Sequence, residues 1–135
     1  LKFFIPLDKV PTATHQQKKV GITKTGKPYF YEPDNVKEAK ALYKEKLTPY
    51  APPEPMEGAI SIAIMFRFPT SNKKLIGQPK TTKPDVDNSI KVILDLLTEL
   101  KYWHDDNQVF AVHASKIWVE KGKGGIQFAI FERGI

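Results

Sequence analysis

Lys83-Pro84-Asp85-Val86-Asp87-Asn88-Ser89-Ile90-Lys91, followed after one apolar run by His104-Asp105-Asp106-Asn107-Gln108, is the stretch from which the rest of the chain is read. Asp85 and Asp87 stand two apart at the mouth of an expected helix. Lys91 sits one turn further in, and Asp105-Asp106 lies just before an expected strand. A reversal at the end of the helix would bring these carboxylates together. Clustered carboxylates repel one another, and burying them unpaired is costly. A hard divalent cation relieves that repulsion, and Mg²⁺ takes only a few carboxylates beside waters and phosphate oxygens. The stretch therefore predicts a magnesium- or manganese-dependent phosphodiesterase.

Each residue also has a plainer reading. Asp is a favoured helix N-cap and ordinary turn chemistry after Pro, but one cap explains one Asp, not two. A helix N-terminus also draws phosphate and eases the presence of nearby anions. Asp87, Lys91 and Asp95 recur at four-residue steps and share one helix face. Lys91 then either pairs with Asp87 or Asp95, for about 0.2–0.5 kcal/mol, or meets the scissile phosphate. The spacing leaves both open, and Asp95 reads as a structural partner of Lys91. Adjacent side chains on a strand point apart, so Asp106 is the expected ligand, with Asp105 either a second ligand or a support behind it. His104 beside Trp103 reads as structural. His15 and His113 have no neighbours that suggest chemistry. Trp103 and Trp118 read as core. Lys116 lies in an apolar strand, where lysine needs a partner, and is expected to reach toward the carboxylates.

Working outward, a helix is expected from about Asn88 to Leu100, burying Ile90, Ile93, Leu94, Leu97 and Leu100. Upstream, Ile60, Ile62, Ile64, Phe66 and Phe68 alternate with Ser61, Ala63, Met65 and Arg67, a period of two that predicts a strand with one face against helices. The Thr70–Thr82 connection is long for a compact domain; with Lys73, Lys74, Lys80 and the adjoining Lys83 it is read as a mobile basic flap that orders on DNA. Val109 to Val119 is apolar on both faces and is expected to be a central strand, and Ile126 to Phe131 follows as the last. Near the start, Phe3-Phe4-Ile5 is a short strand ended by Pro6. Val20-Gly21-Ile22 and Tyr29-Phe30-Tyr31 flank a loop tip at Lys24–Lys27. A helix carries Val36, Ala39, Leu42, Tyr43 and Leu47, with Asn35 and Glu38 as a capping box. Pro52, Pro53 and Pro55 make a stiff connector. The order predicts an α+β fold, residues 1–135 forming one domain, with two main helices packed on a mixed sheet.

The chain has 135 residues and no cysteine, so disulfides and thiolate zinc sites are excluded. No run is apolar enough to span a bilayer, and there is no secretory signal, so a cytoplasmic protein without membrane contact is expected. The formal charge of +6, from 21 basic and 15 acidic residues, favours a polyanionic partner. The absence of a G-x-x-x-x-G-K-[ST] loop argues against a nucleoside triphosphatase.

Lys83-Pro-Asp-Val-Asp-Asn-Ser-Ile-Lys91, Leu94-Asp95, Trp103-His-Asp-Asp-Asn-Gln-Val109 and Lys116 resemble the signature of the RusA-type Holliday junction resolvases, small dimeric endonucleases common in phages and prophages. The resemblance covers roughly residues 83 to 116. Ser89 departs from it, standing where a larger apolar residue is usual, and the Thr70–Thr82 loop aligns with no family DNA contact. The resemblance implies that Asp85, Asp87 and Asp106 are metal-binding carboxylates, that Lys91 is the catalytic lysine and that Asp105 is the first residue of the acidic dyad. It further implies a homodimer that cuts four-way DNA junctions by paired nicks with Mg²⁺ or Mn²⁺. Lys73, Lys74, Lys80, Lys83 and Lys116 are expected to make phosphate contacts. Two rivals remain: a non-catalytic binder of branched or single-stranded DNA, and a metal-dependent hydrolase of small phosphate esters.

Overall fold

The computed structural model describes residues 1–12, 19–31 and 34–133. Its framework is a four-stranded sheet in the order β1-β6-β4-β5, built from β1 (Lys2–Pro6), β4 (Ala59–Thr70), β5 (Val109–Glu120) and β6 (Gly125–Arg133). A separate hairpin of β2 (Lys19–Ile22) and β3 (Pro28–Tyr31) precedes the helix α1 (Asp34–Leu47). β4 runs parallel to β5 and antiparallel to β6, so the sheet is mixed. The parallel step is made by α2 (Val86–Glu99), a β-α-β unit that carries the acidic stretch. This is the expected α+β architecture.

The alternation in β4 does what its period requires. Ile60, Ile62, Ile64, Phe66 and Phe68 are buried, and they cluster with Tyr43 and Leu47 of α1 and with Val92, Ile93, Leu96 and Leu97 of α2. A fully buried aliphatic side chain contributes about 1.5–3 kcal/mol, so this one face supplies much of the folding free energy. The opposite face, with Ser61, Ala63 and Met65 beside His113, Ser115 and Ala129, carries no helix and is only partly covered. Trp103 is fully buried as expected, its indole N–H donating to Thr98 Oγ1 at 2.7 Å. Trp118 packs against the core as a partly buried residue.

Four expectations need correction. β5 is an edge strand, not a central one. Its residues are apolar on both sides because one side meets the core and the other faces the helix-free surface. The buried face of α2 is turned by about one residue: Ser89, Val92, Ile93, Leu96 and Leu97 are buried, whereas Ile90, Leu94 and Leu100 are partly covered. Asn35 lies inside α1, which begins at Asp34, so it is no cap; Pro33 and His15 fall outside the described residues. The flap is tied down. Gly77 N donates to Trp118 O, Trp118 N to Gln78 O, and Lys80 N to Lys116 O, all at 2.9–3.0 Å, so residues 77–80 run along the far half of β5.

α2 closes with a left-handed residue. Lys101 has φ 66°, with its N–H on Thr98 O at 3.1 Å and Tyr102 N–H on Leu97 O at 3.0 Å. That is the paired bonding of a Schellman ending, which normally uses glycine at this position.

Candidate active site

Asp85 occupies the N-cap position of α2 (φ −67°, ψ 137°), yet its carboxylate bonds to none of the free helix N–H groups. Asn88 Nδ2 approaches it at 3.5 Å. Its carbonyl does the local work, accepting from Ser89 N at 3.1 Å and Ser89 Oγ at 3.0 Å. The hydroxyl explains Ser89: buried at the first turn, it fastens the Asp85 backbone as an alkyl side chain could not. The capping explanation of Asp85 therefore fails, and its carboxylate stands exposed.

The segment leading to Asp85 hangs from two lysines. Lys116 Nζ donates to Thr82 O at 2.7 Å and to Pro84 O at 2.6 Å. Lys80 Nζ donates to Thr82 Oγ1 and Lys83 O, both at 2.5 Å, and sits 4.5 Å from the Trp118 ring centroid and 5.0 Å from that of Phe68. Both placements correct the sequence reading. Lys80 is only 8% exposed and its ammonium is spent internally, so it is no phosphate contact. Burial, and then the Lys116 charge, lower its pKa. Lys116 is compensated by backbone carbonyls rather than carboxylates, because those carbonyls lie directly under its strand. Lys73, Lys74 and Lys83 are exposed.

Beyond Asp85, Asp87, Lys91 and Asp95 line one wall of a cleft of about 320 Å³, together with Ile90 and Leu94. Asp106, Val109 and Val112 form the facing wall. The four-residue spacing is thus realised, and the one-residue rotation of the buried face is what points Ile90 and Leu94 into this cleft. Asp85 is not part of the lining. Asp87 and Asp95 are eight residues apart, roughly 12 Å along the helix. Asp106 responds to the far end of this row. Its pKa is raised first by a hydrogen bond with the Asp105 carboxyl, next by desolvation, and less by the charges of Asp105 and Asp95. Asp95, read from sequence as a mere partner of Lys91, therefore belongs to the acidic group around Asp106.

Asp105 has a different occupation. Its Oδ1 accepts from Asn107 N at 2.8 Å, within a capping box that opens the Asp106–Gln108 turn. This backbone bond, and then the bond with Asp106, hold its pKa below the usual carboxylate range. Asp105 supports Asp106 from behind. The residue that sequence reasoning missed is Gln108. Its Oε1 accepts from His104 N at 2.8 Å and Asp105 N at 2.9 Å, while its Nε2 donates to Met56 O at 2.8 Å and Gly58 O at 3.1 Å. One amide staples the acidic turn to the chain before β4. Only its position in the quoted signature hinted at this. His104 turns away toward Glu57, at 3.7 Å.

Among the described residues, no three carboxylate or imidazole groups are gathered closely enough to hold a metal ion. The expected cage of Asp85, Asp87 and Asp106 is therefore not formed within the chain. The donor chemistry still suits a hard cation: the cleft offers the carboxylate oxygens of Asp87, Asp95 and Asp106 and no softer ligand. Mg²⁺ needs only one or two carboxylates when water and phosphate oxygens complete its shell. The residues fit a site shared with a phosphate substrate, not a closed cage.

Comparison with known proteins places these residues in context. The family model described as endodeoxyribonuclease RusA matches residues 8–130. The chain is also 35% identical over 127 residues to a crossover junction endodeoxyribonuclease from Lactococcus phage r1t, an alignment covering 90% of this chain and 92% of that protein.

Proposed function

The chain belongs to the RusA endodeoxyribonuclease family, and from that premise we propose that it resolves four-way (Holliday) DNA junctions by paired, symmetrical nicks during recombination and repair. The observation that carries this reading is the single cleft shared by Asp87, Lys91, Asp95 and Asp106. Asp87 and Asp106, with Asp85 at the helix entrance and Asp105 supporting the turn, would hold Mg²⁺ or Mn²⁺ together with water and phosphate oxygens. Such an ion, when bound, neutralises charge on the phosphate and acidifies the attacking water. Lys91, exposed on the cleft wall, places its ammonium against the non-bridging oxygens, where charge develops in the transition state. Lys73, Lys74 and Lys83 grip the sugar-phosphate backbone without reading sequence. The setting is the cytoplasm of a bacterial or phage-infected cell.

Two opposed nicks require two sites related by a two-fold axis, the commonest oligomer symmetry, and a homodimer is therefore part of the proposal. The near half of β5 supports it: among the described residues no strand pairs with its outer edge, and Phe110 is 59% exposed there. An apolar, unpaired strand edge is a template for association.

The test is incubation with a synthetic four-way junction and a matched linear duplex in Mg²⁺, Mn²⁺ or chelator. The expected result is symmetrical nicking of the junction, dependent on the ion and lost in Asp87→Asn and Asp106→Asn proteins that still bind the junction. Wild-type rates from either variant would refute the assignment. Because no three-carboxylate cage is preformed among the described residues, the rival to be separated is a non-catalytic binder of branched DNA. It predicts tight junction binding with no cleavage in any divalent ion.

A further inference from the structure

The β2–β3 hairpin stands apart from the main sheet, and its side chains are disposed unlike those of any other element. An isolated two-stranded hairpin is marginally stable in water, and evolution normally gives one of its faces a core to cover. Here Val20 and Ile22 on one face and Tyr29 and Tyr31 on the other are all exposed. The register sets Gly21 opposite Tyr29 and Lys19 opposite Tyr31, so the two tyrosines share a face, while Val20 and Ile22 lie on the other. Tyr29 is 47% and Tyr31 42% exposed, Val20 56% and Ile22 74%.

The tyrosine face is pre-formed. A Cβ at Gly21 would meet Tyr29 Cζ at 2.4 Å, so the ring sits against the Gly21 backbone in space only glycine leaves. The Tyr31 ring follows with centroids 5.9 Å apart and its plane tilted by 42°. The turn is also built. Gly26 takes φ 83°, its N–H bonds Thr23 O at 2.9 Å, and Lys27 N bonds Thr23 Oγ1 at 3.0 Å. This turn presents Lys24 and Lys27, both exposed, and residues 19–31 contain no acidic side chain.

A partner protein covering one face would leave the other wet. A ribbon that is apolar on two sides and cationic at its tip fits a slot with two apolar walls and an anionic rim. Stacked bases that have been parted have this form: flat rings above and below, phosphates at the margin. Aromatic platforms stack on bases of any sequence, and apolar side chains are used elsewhere to part base steps. We propose that the β2–β3 hairpin is a base-stacking wedge that enters the branch point of the DNA junction, with Tyr29 stacking on one exposed base pair, Tyr31 packing at an angle beside it, and Val20 and Ile22 lying against the opposite pair. This rests on the junction substrate proposed above and supplies what the cleft lacks, a means of telling a branch from a plain duplex.

The experiment uses the full chain, in chelator so that nothing is cut, with a four-way junction carrying 2-aminopurine at the branch point and a linear duplex carrying it mid-strand. Binding of the wild type should change the fluorescence of the junction and leave that of the duplex alone. Tyr29→Ser with Tyr31→Ser should weaken junction binding on the order of ten- to a hundred-fold, abolish the signal and leave duplex affinity unchanged. Gly21→Ala, which keeps both tyrosines but lifts Tyr29 from its seat, should lose part of the signal. Tyr29→Trp with Tyr31→Trp should retain it, which separates loss of stacking from loss of folding. Lys24→Ala with Lys27→Ala should weaken junction and duplex alike. A wild type that binds without a branch-point signal would overturn the wedge. So would a double serine variant that binds the junction normally, or that changes only self-association. Wild-type failure to cleave in Mg²⁺ or Mn²⁺ is a separate result and bears on the nuclease reading alone.

Discussion

Removing the Lys116 ammonium tests the site most directly. In Lys116→Met the apolar stem stays and two hydrogen bonds go, to Thr82 O at 2.7 Å and Pro84 O at 2.6 Å. A hydrogen bond from a charged donor contributes about 1.5–3 kcal/mol. The Thr82 bond is exposed, so water replaces most of it; the Pro84 bond is partly buried, and its loss is the larger. The net expectation is about 2 kcal/mol. Those bonds are made 32 and 34 positions away in sequence, so they act on where the Thr82–Asp85 segment sits as well as on global stability. A loss of about 2 kcal/mol lowers the ratio of seated to released segment roughly thirty-fold, at about 1.4 kcal/mol per factor of ten. Denaturant unfolding should thus show a fall of about 2 kcal/mol. Single-turnover cleavage of a four-way junction, with the protein still folded, should slow by up to about thirty-fold, and Lys116→Arg should recover part of both. If Lys116→Met loses the stability but cuts at the wild-type rate, Lys116 does not position Asp85, and the link drawn from β5 to the acidic row is wrong.

Other consequences are checked more simply. Gln108→Ala removes four hydrogen bonds at 2.8–3.1 Å; at about 0.5–1.5 kcal/mol each, some solvent-compensated, it should cost about 2–3 kcal/mol in urea unfolding and slow cleavage through Asp106. Lys101→Gly relieves a left-handed residue at φ 66° and should raise stability by about 1 kcal/mol in the same assay. Glu132 is held below its ordinary value of 4.5 by the N–H groups of Gly58 and then Glu57. The folded form therefore favours its carboxylate, and this contribution is complete above about pH 5 and lost as pH falls through the lowered value. The melting temperatures of wild type and Glu132→Gln should differ most near neutrality and converge in acid; a gap that widens in acid would reverse the sign.

How much of this was legible follows from how far each interaction reaches along the chain. The β4 alternation and the Asp87-Lys91-Asp95 row are local periodicities, and the structure realises both. Contacts between distant residues left no such trace. Lys80 reads as a loop cation because nothing near it in sequence shows that Phe68 and Trp118 enclose it. Val109 to Val119 reads as central because apolar residues on two faces do not reveal whether a neighbouring strand lies on both edges. The buried face of α2 was misjudged by one residue because Ile90 and Leu94 are spent on a cleft and Ser89 on a backbone carbonyl. The sequence shows which acidic residues are present but hides their partition: Asp87, Asp95 and Asp106 share the cleft while Asp85 stands outside it, and that depends on how the turn before β5 is stapled.

The parallel pairing of β4 with β5 also sets the timetable of assembly. Antiparallel neighbours can zip from a tight turn, but this pair must first close the long connection that holds α2, and such distant closures come late and slowly. The row on α2 and Asp106 on the threshold of β5 face each other only once that closure is complete. A half-made chain emerging from the ribosome therefore holds the two halves of the cleft apart: the acidic row and Asp106 become neighbours only when β4 has found β5.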